Sequence, residues 1–189
     1  MTEVNVKPDN LQKDPNNSPD ASIKPSQPTT HHFDVVISGG GLSGISMALS
    51  LSKLTKKDGR LLSIAIVEAQ PVQTEVSKNP NANKNALFDA RVLALSHGSA
   101  RYLNALGAWK HLKEHACAIT DIDISDRGHF GKARLTAKDH NVNALGYVVD
   151  MANIGKAQLT ALNTTTHNVS WFTPDSITEI DWQDPKQVN

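Results

Sequence analysis

Apolar residues along the chain fall into short continuous runs and helically spaced sets, which predict alternating strands and helices. Residues 33–38 and 61–67 are short, mainly apolar runs rich in β-branched residues, as is typical of strands buried in a parallel sheet. Between them, apolar residues recur at helical spacing and predict a helix from Leu42 to about Leu54. A strand, a turn, a helix and a second strand in this order predict a βαβ unit with parallel strands.

Beyond residue 90 the pattern is mixed. Over 120–125, Thr120, Ile122 and Ile124 alternate with polar residues, which predicts a half-exposed strand, and residues 133–137 predict its hairpin partner. The same reasoning predicts further elements: a strand over 91–96, a helix over 99–106, helical turns over 109–116, a strand over 147–149, a helix over 152–162, and strands near 169–172 and 177–182. Parallel and antiparallel strands with helices between them indicate an α/β fold.

The first 32 residues differ from the rest in composition. They hold five of the nine prolines and no aromatic residue, so we expect a disordered tail over 1–32 and order from Phe33. Residues 33–189 are then the folded part of the chain. Lysine plus arginine equal aspartate plus glutamate at 19 each, which argues against a nucleic-acid partner. A single cysteine excludes an intrachain disulfide and fits a cytoplasmic protein.

The turn between the first predicted strand and helix carries a G-x-G-x-x-G motif. It comprises Gly39, Gly40, Gly41, Leu42, Ser43 and Gly44. The first glycine allows a tight turn, the third lets the backbone approach a diphosphate, and the last lets the helix pack closely on the strand. The N–H groups of the first helical turn then face the phosphates. Taken alone, the hexapeptide also fits a glycine-rich turn without a ligand.

Glu68 ends the second predicted strand, near the position where this motif carries an acid about 20 residues after its glycines. A carboxylate there accepts hydrogen bonds from both ribose hydroxyls of an adenosine and repels a 2′-phosphate. The pattern therefore predicts FAD or NAD as the ligand rather than NADP. An exposed strand-end acid without a ligand is the alternative reading of Glu68.

Three further motifs carry a resemblance to a known family. They are Phe88–Ser96 with its Asp-Ala-Arg sequence, Ile122–His129 with its Ser-Asp-Arg-Gly-His turn, and Gly146–Asp150. Together with residues 33–69 they resemble the FAD-dependent aromatic hydroxylases of ubiquinone biosynthesis, relatives of para-hydroxybenzoate hydroxylase. Two of the motifs, Ile122–His129 and Gly146–Asp150, are most similar to the 2-octaprenyl-6-methoxyphenol hydroxylase branch.

This resemblance implies a Rossmann-like FAD-binding domain with a parallel sheet plus antiparallel strands. Residues 33–189 would be its N-terminal, incomplete part, with most of the substrate-covering sheet missing. It implies bound FAD, NAD(P)H as reductant, and hydroxylation of a prenylated phenol. It also implies that Arg91 lies near the FAD, although Arg91 could instead pair with Asp89 at the surface. Many relatives carry an arginine and a glutamine where this chain has residues 151–156, so those cofactor contacts are not carried over.

No catalytic acid or base is assigned, because the flavin carries the chemistry. The acidic run over 121–126 lacks the glycine of a calcium-binding loop, so no metal site is expected.

A polyprenyl substrate would imply peripheral contact with the inner membrane or with a biosynthetic complex. We expect the 189 residues alone to bind FAD weakly and to hydroxylate nothing. Two alternatives stay open: the NAD-binding half of a dehydrogenase, and a non-catalytic nucleotide-binding remnant.

Overall fold

The computed structural model describes residues 2–6, 29–72, 91–128 and 130–180, and these form the α/β fold that the sequence predicts. A three-stranded parallel sheet has the order β10-β4-β3, and its strands are β3 (Val35–Ser38), β4 (Ile64–Val67) and β10 (Val169–Phe172). Helix α1 (Leu42–Leu51) connects β3 to β4, which pair in parallel. The predicted βαβ unit is therefore confirmed.

Both ends of the predicted unit are shorter than expected. Helix α1 ends at Leu51 instead of Leu54, because Ser52 caps it and the chain then turns. Strand β4 begins at Ile64 instead of Leu61, because Leu61 pairs with Thr55 in an isolated antiparallel bridge. The segment between helix and strand thus folds back on itself before the sheet resumes.

A second, antiparallel group of strands follows. Strands β5 (Val92–Ser96), β6 (Cys117–Ile119) and β9 (Gly146–Asp150) form a sheet of order β5-β9-β6, and β7 (Asp121–Ser125) pairs with β8 (Lys132–Thr136) as a hairpin. The predicted hairpin is confirmed, although every residue of β7 is exposed where a half-exposed strand was expected. The described residues therefore leave both faces of this hairpin uncovered.

The remaining helices lie close to their predicted positions. They are α2 (His97–Leu106), α3 (Met151–Thr165) and two short 3₁₀ helices (Trp109–His111 and Lys113–His115). The hydroxyl of Ser96 caps α2 by accepting from the Ser99 amide at 3.1 Å, and Gly107 ends the helix in a left-handed conformation. The carboxylate of Asp150 caps α3 in the same way.

Two expectations about the ends of the chain differ from the structure. Strand β1 (Thr2–Val6) pairs antiparallel with β2 (Thr29–Phe33), so both ends of the predicted disordered tail are strands. Extended pairing needs only backbone N–H and C=O groups, which a polar composition supplies as well as an apolar one. Residues 7–28 lie outside the described residues. No strand occurs over 177–180, where one was predicted, and residues 181–182 are also outside the described residues.

The core lies where α1 packs on the parallel sheet and α3 packs on the other side of α1 and on β9. Its largest fully buried apolar side chains include Ile45, Leu49, Ile64, Ile66 and Leu162. The α1 residues among them recur at helical spacing, so one face of the helix is apolar and faces the strands. This packing holds the beginning of α1 against the carboxyl end of the sheet.

An ion pair lies at the amino end of the same sheet. The Lys56 ammonium lies 2.6 Å from the Asp34 carboxylate, which also accepts from the amide and hydroxyl of Ser63. The hydrogen bond from Lys56, followed by those from Ser63, lowers the pKa of Asp34 from 3.8 to about 2. Asp34 thereby ties β3 to the segment that leads into β4.

We predict that Asp34→Asn lowers the free energy of unfolding at pH 7 by about 1 kcal/mol, a value reduced for solvent screening of the pair. Because the pKa of Asp34 is lower in the folded protein, this stabilisation is present above pH 4 and is lost as the pH falls towards 2. Urea unfolding of both proteins between pH 7 and pH 2.5 measures it. A difference in stability that stays constant over this range would contradict the assignment.

Candidate cofactor-binding site

The turn after β3 has the backbone geometry that the motif predicts. Gly39 has φ of +100°, a conformation that favours glycine, and its N–H donates to the Val67 carbonyl at 2.8 Å. Gly41 is the N-cap of α1, and it has no side chain to cap the helix. The N–H groups of the first helical turn, which include those of Leu42 and Ser43, therefore have no side-chain acceptor from the cap.

The space around two of the glycines explains their different roles. A Cβ atom on Gly44 would lie 2.0 Å from the Gly39 carbonyl oxygen, so only glycine lets the helix begin this close to the turn. A Cβ atom on Gly41 would meet no atom within 4 Å. Gly44 therefore serves packing within the protein, whereas the surface at Gly41 is open to a ligand.

The structure places Glu68 against this turn. Its side chain is 8% exposed, Oε2 accepts from the Gly40 amide at 2.7 Å, and Oε1 accepts from the Gln70 amide at 2.8 Å. Its backbone amide donates to the Phe172 carbonyl and its carbonyl accepts from the Asp175 amide, both at 2.9 Å. The carboxylate is thus held in one orientation beside the glycine turn, as its position in the sequence predicts.

Arg91 lies directly before β5 and is exposed. Its carbonyl accepts from the Met151 amide at 2.8 Å, which ties it to the beginning of α3. Phe88, Asp89 and Ala90 lie outside the described residues, so the alternative pairing of Arg91 with Asp89 is untested. The role of Arg91 near a flavin stays a prediction.

A groove of about 950 Å³ begins at the first residues of α1 and runs between α1, β5, α2 and α3. Its walls carry no charged side chain and combine leucines with serines. They comprise Leu42, Ser43, Ser46, Met47, Ser50, Leu51, Leu93, Leu95, Ser96, Gly98, Ser99, Tyr102, Leu103, Ile154 and Gln158. A volume of this size is within the range of small-molecule sites.

Gln158 in the wall of this groove has an unsatisfied amide. The residue is 2% exposed, and its Nε2 donates to the Ser46 hydroxyl at 2.7 Å, but Oε1 has no hydrogen-bond partner. A buried, unpaired amide oxygen is costly and is common at functional sites. The sequence analysis missed both the groove and Gln158. The available signal was the spacing of Ser43, Ser46 and Ser50 along one face of α1.

The acidic run over 121–126 has a structural explanation. The Arg134 guanidinium lies 3.1 Å from Asp121 and 3.6 Å from Asp123, so this cation sits between the two carboxylates. In the described ranges, no group of three or more histidine, cysteine or acidic side chains is arranged to hold a metal ion. None of the helices there is long and apolar enough to cross a membrane.

Two ubiquinone biosynthesis enzymes are similar in sequence to this chain over most of its length. It is 28% identical over 159 residues to the mitochondrial ubiquinone biosynthesis monooxygenase COQ6 of Danio rerio, covering 83% of this chain and 31% of that protein. It is 27% identical over 159 residues to the ubiquinone hydroxylase UbiM of Neisseria meningitidis, covering 81% of this chain and 31% of that protein. No protein-family model matches the chain.

The fold agrees with these matches. The crystal structure of p-nitrophenol 4-monooxygenase PnpA from Pseudomonas putida superposes with a TM-score of 0.53 at 20% identity, covering 79% of this chain and 33% of that one. These matches do not distinguish the 2-octaprenyl-6-methoxyphenol hydroxylase branch from other ubiquinone hydroxylases, so assignment to that branch stays a prediction. The chain spans about a third of the length of the relatives it matches. Over that third, the chain is similar to the ubiquinone biosynthesis monooxygenase COQ6 and the ubiquinone hydroxylase UbiM, which confirms the resemblance.

Proposed function

We propose that this chain forms the FAD-binding part of a flavoprotein monooxygenase that hydroxylates a phenol. The observation that carries the proposal is the 2.7 Å hydrogen bond from the Gly40 amide to the Glu68 carboxylate, beside a turn that is open at Gly41. It joins, in one place, the two groups that a dinucleotide site requires: amides for a diphosphate and an acid for a ribose.

The residues present fit the adenosine diphosphate half of FAD. The diphosphate would bind at the open face of Gly41 and the N–H groups of Leu42 and Ser43, where the helix dipole favours negative charge. The ribose hydroxyls would donate to Glu68, whose two oxygens each retain acceptor capacity after the bonds from Gly40 and Gln70.

The groove suits the riboflavin half. Because the groove begins at Leu42 and Ser43, it is continuous with the proposed diphosphate site. Its walls are neutral and mainly apolar, and its serine hydroxyls can bond to hydroxyl or N–H groups of the riboflavin half. The Arg91 guanidinium would add planar donors at the edge of the cofactor.

The chemistry would come from the cofactor. When bound, FAD would supply the redox chemistry that hydroxylates an aromatic ring with O₂, and NAD(P)H would be the reductant. The residues described above hold and orient the cofactor, and none of them is assigned as a catalytic acid or base. Glu68 contributes by fixing the adenosine end, and α1 by placing its amide groups at the diphosphate.

We infer a prenylated phenol of ubiquinone biosynthesis as the substrate class, because the relatives are named for that pathway. Such a substrate would bring the full-length protein to a membrane surface or a biosynthetic complex.

We also propose that these 189 residues alone do not hydroxylate a phenol, since about two-thirds of a relative's length has no counterpart here. Oxidation of NADPH by the purified chain that depends on a phenol would refute this.

The first prediction concerns the cofactor itself. We expect the purified chain to bind FAD and ADP, and to bind ADP more tightly than 2′-phospho-ADP, because Glu68 repels the additional phosphate. Glu68→Gln should weaken FAD and ADP binding by roughly tenfold, the loss expected for a hydrogen bond to a charged group. Isothermal titration calorimetry measures these affinities. The control is Glu114→Gln, which removes an exposed carboxylate from a 3₁₀ helix.

Binding of NAD with no binding of FAD would favour the dehydrogenase alternative. Equal affinity for ADP and FAD, with no contribution from the flavin half, would favour a nucleotide-binding remnant. Unchanged ADP affinity in Glu68→Gln would contradict the site.

A second prediction distinguishes the packing role of Gly44 from the ligand-binding role of Gly41. Gly44→Ala should lower the free energy of unfolding by about 3 kcal/mol, since its Cβ would overlap the Gly39 carbonyl. Gly41→Ala should leave the melting temperature within about 2 °C of the unaltered protein, yet weaken ADP binding at least about tenfold, because the methyl group occupies the diphosphate position. Calorimetric melting and ADP titration measure both. Tight ADP binding by Gly41→Ala would show that the diphosphate lies elsewhere.

A third prediction concerns Arg91. If Arg91 contacts the flavin half, Arg91→Gln should weaken FAD binding by about tenfold and leave ADP affinity unchanged. Titrations of the same preparation with both ligands measure the difference. Equal losses for FAD and ADP would place Arg91 at the adenosine end or assign it a structural role.

A further inference from the structure

We propose that Trp171 is a positioning residue for the glycine turn. Its indole ring, presented by β10, holds Gly40 and Glu68 in the arrangement that would bind a diphosphate and a ribose. This inference rests on the proposed nucleotide-binding function and adds a third component, from the far end of the described chain, to the turn and the acid.

The contact between Trp171 and the turn is close. A Cβ atom on Gly40 would lie 2.6 Å from Cζ3 and 3.1 Å from Cη2 of the Trp171 ring, and 3.2 Å from Cβ of Glu68. Gly39 needs to be glycine because its φ is positive, but Gly40 is not among the residues with positive φ. The backbone conformation at position 40 therefore does not require glycine, and the indole ring is the nearest group that excludes a side chain there.

Strand β10 carries the Trp171 ring and also accepts a hydrogen bond from the backbone of Glu68. It pairs in parallel with β4, so Trp171 lies beside Ile66 and Phe172 beside Val67. The carbonyl of Phe172 accepts from the Glu68 amide at 2.9 Å. Consecutive residues of one strand thus fix the backbone of the acid and fill the space next to the glycine whose amide the acid accepts.

This packing has a direct consequence for the site. With the ring in place, Gly40 has no room to shift towards β10, and its amide stays 2.7 Å from the Glu68 carboxylate. With a smaller side chain at position 171, the turn gains space, the hydrogen bond loosens, and the first turn of α1 is displaced from the ribose-binding acid. Trp171 would thereby influence nucleotide affinity without being a catalytic residue.

Fluorescence distinguishes this role from simple core packing. In a variant with Trp109→Phe and Trp182→Phe, Trp171 is the single tryptophan, and ADP is a probe that does not absorb at the excitation wavelength. We expect saturating ADP to change the emission of Trp171, because the ring lies under the turn that closes on the diphosphate. Unchanged emission at an ADP concentration that calorimetry shows to be saturating would overturn the proposal.

A double-mutant cycle tests the contact with Gly40. Gly40→Ala should lower both the melting temperature and the ADP affinity, the latter by roughly tenfold, and adding Trp171→Leu should restore at least about threefold of that affinity by making room for the methyl group. Trp109→Leu is the matched control, because Trp109 packs on Tyr147 and should give no recovery. Trp171→Phe alone should retain ADP affinity within about threefold.

The outcomes separate this inference from the proposed function. If the losses in ADP affinity of Gly40→Ala and Trp171→Leu multiply in the double variant, with no recovery in affinity or melting temperature, the proposed role of Trp171 is overturned. The proposed function is not affected by that result. Failure of the unaltered chain to bind ADP and FAD overturns the proposed function, and this inference with it. Recovery specific to position 171, together with the emission change, supports both.

Discussion

One short hydrogen bond connects the glycine turn with the acid that follows the neighbouring strand, and the proposed function depends on this pair. The Gly40 amide donates to a buried Glu68 carboxylate across the end of a parallel strand pair. It forms because β3 and β4 are in parallel register, so that the turn after one strand and the acid after the other meet at the same edge. Without that register, the motif would be a glycine-rich turn and the acid a solvated strand end.

The core of the fold was predictable from the sequence because its signals are local. The apolar runs around β3 and β4 and the helical spacing in α1 indicate a βαβ unit, and the helical pattern that ends at Gly107 indicates α2. The ends of elements were less predictable. Leu61 is apolar, yet it pairs with Thr55 outside the sheet, because a fold-back of the connection competes with extension of the strand. The strands at Thr2–Val6 and Thr29–Phe33 lie in polar sequence, and pairing between distant segments leaves no local pattern.

The site was predictable to the same extent. Motif spacing places Gly39–Gly44 and Glu68 together, since the turn and the acid follow two strands that the sequence predicts to be parallel. The contributions of Gln158 and Trp171 were not predictable, because each comes from an element distant in sequence. Gln158 is one of several polar residues on α3, and only packing against Ser46 shows that its amide oxygen is buried and unpaired. Trp171 reads as a core residue until the structure shows its ring against Gly40.

The central claim is that this cradle holds FAD, and the most direct measurement is the identity of what the protein retains from cells. The chain and a longer homologous protein would be purified without added cofactor, scanned for flavin absorbance, denatured, and the released compound identified by mass spectrometry. We predict FAD, retained in larger amount by the longer protein. Release of NAD, or of an adenine nucleotide without flavin from both proteins, would contradict the account.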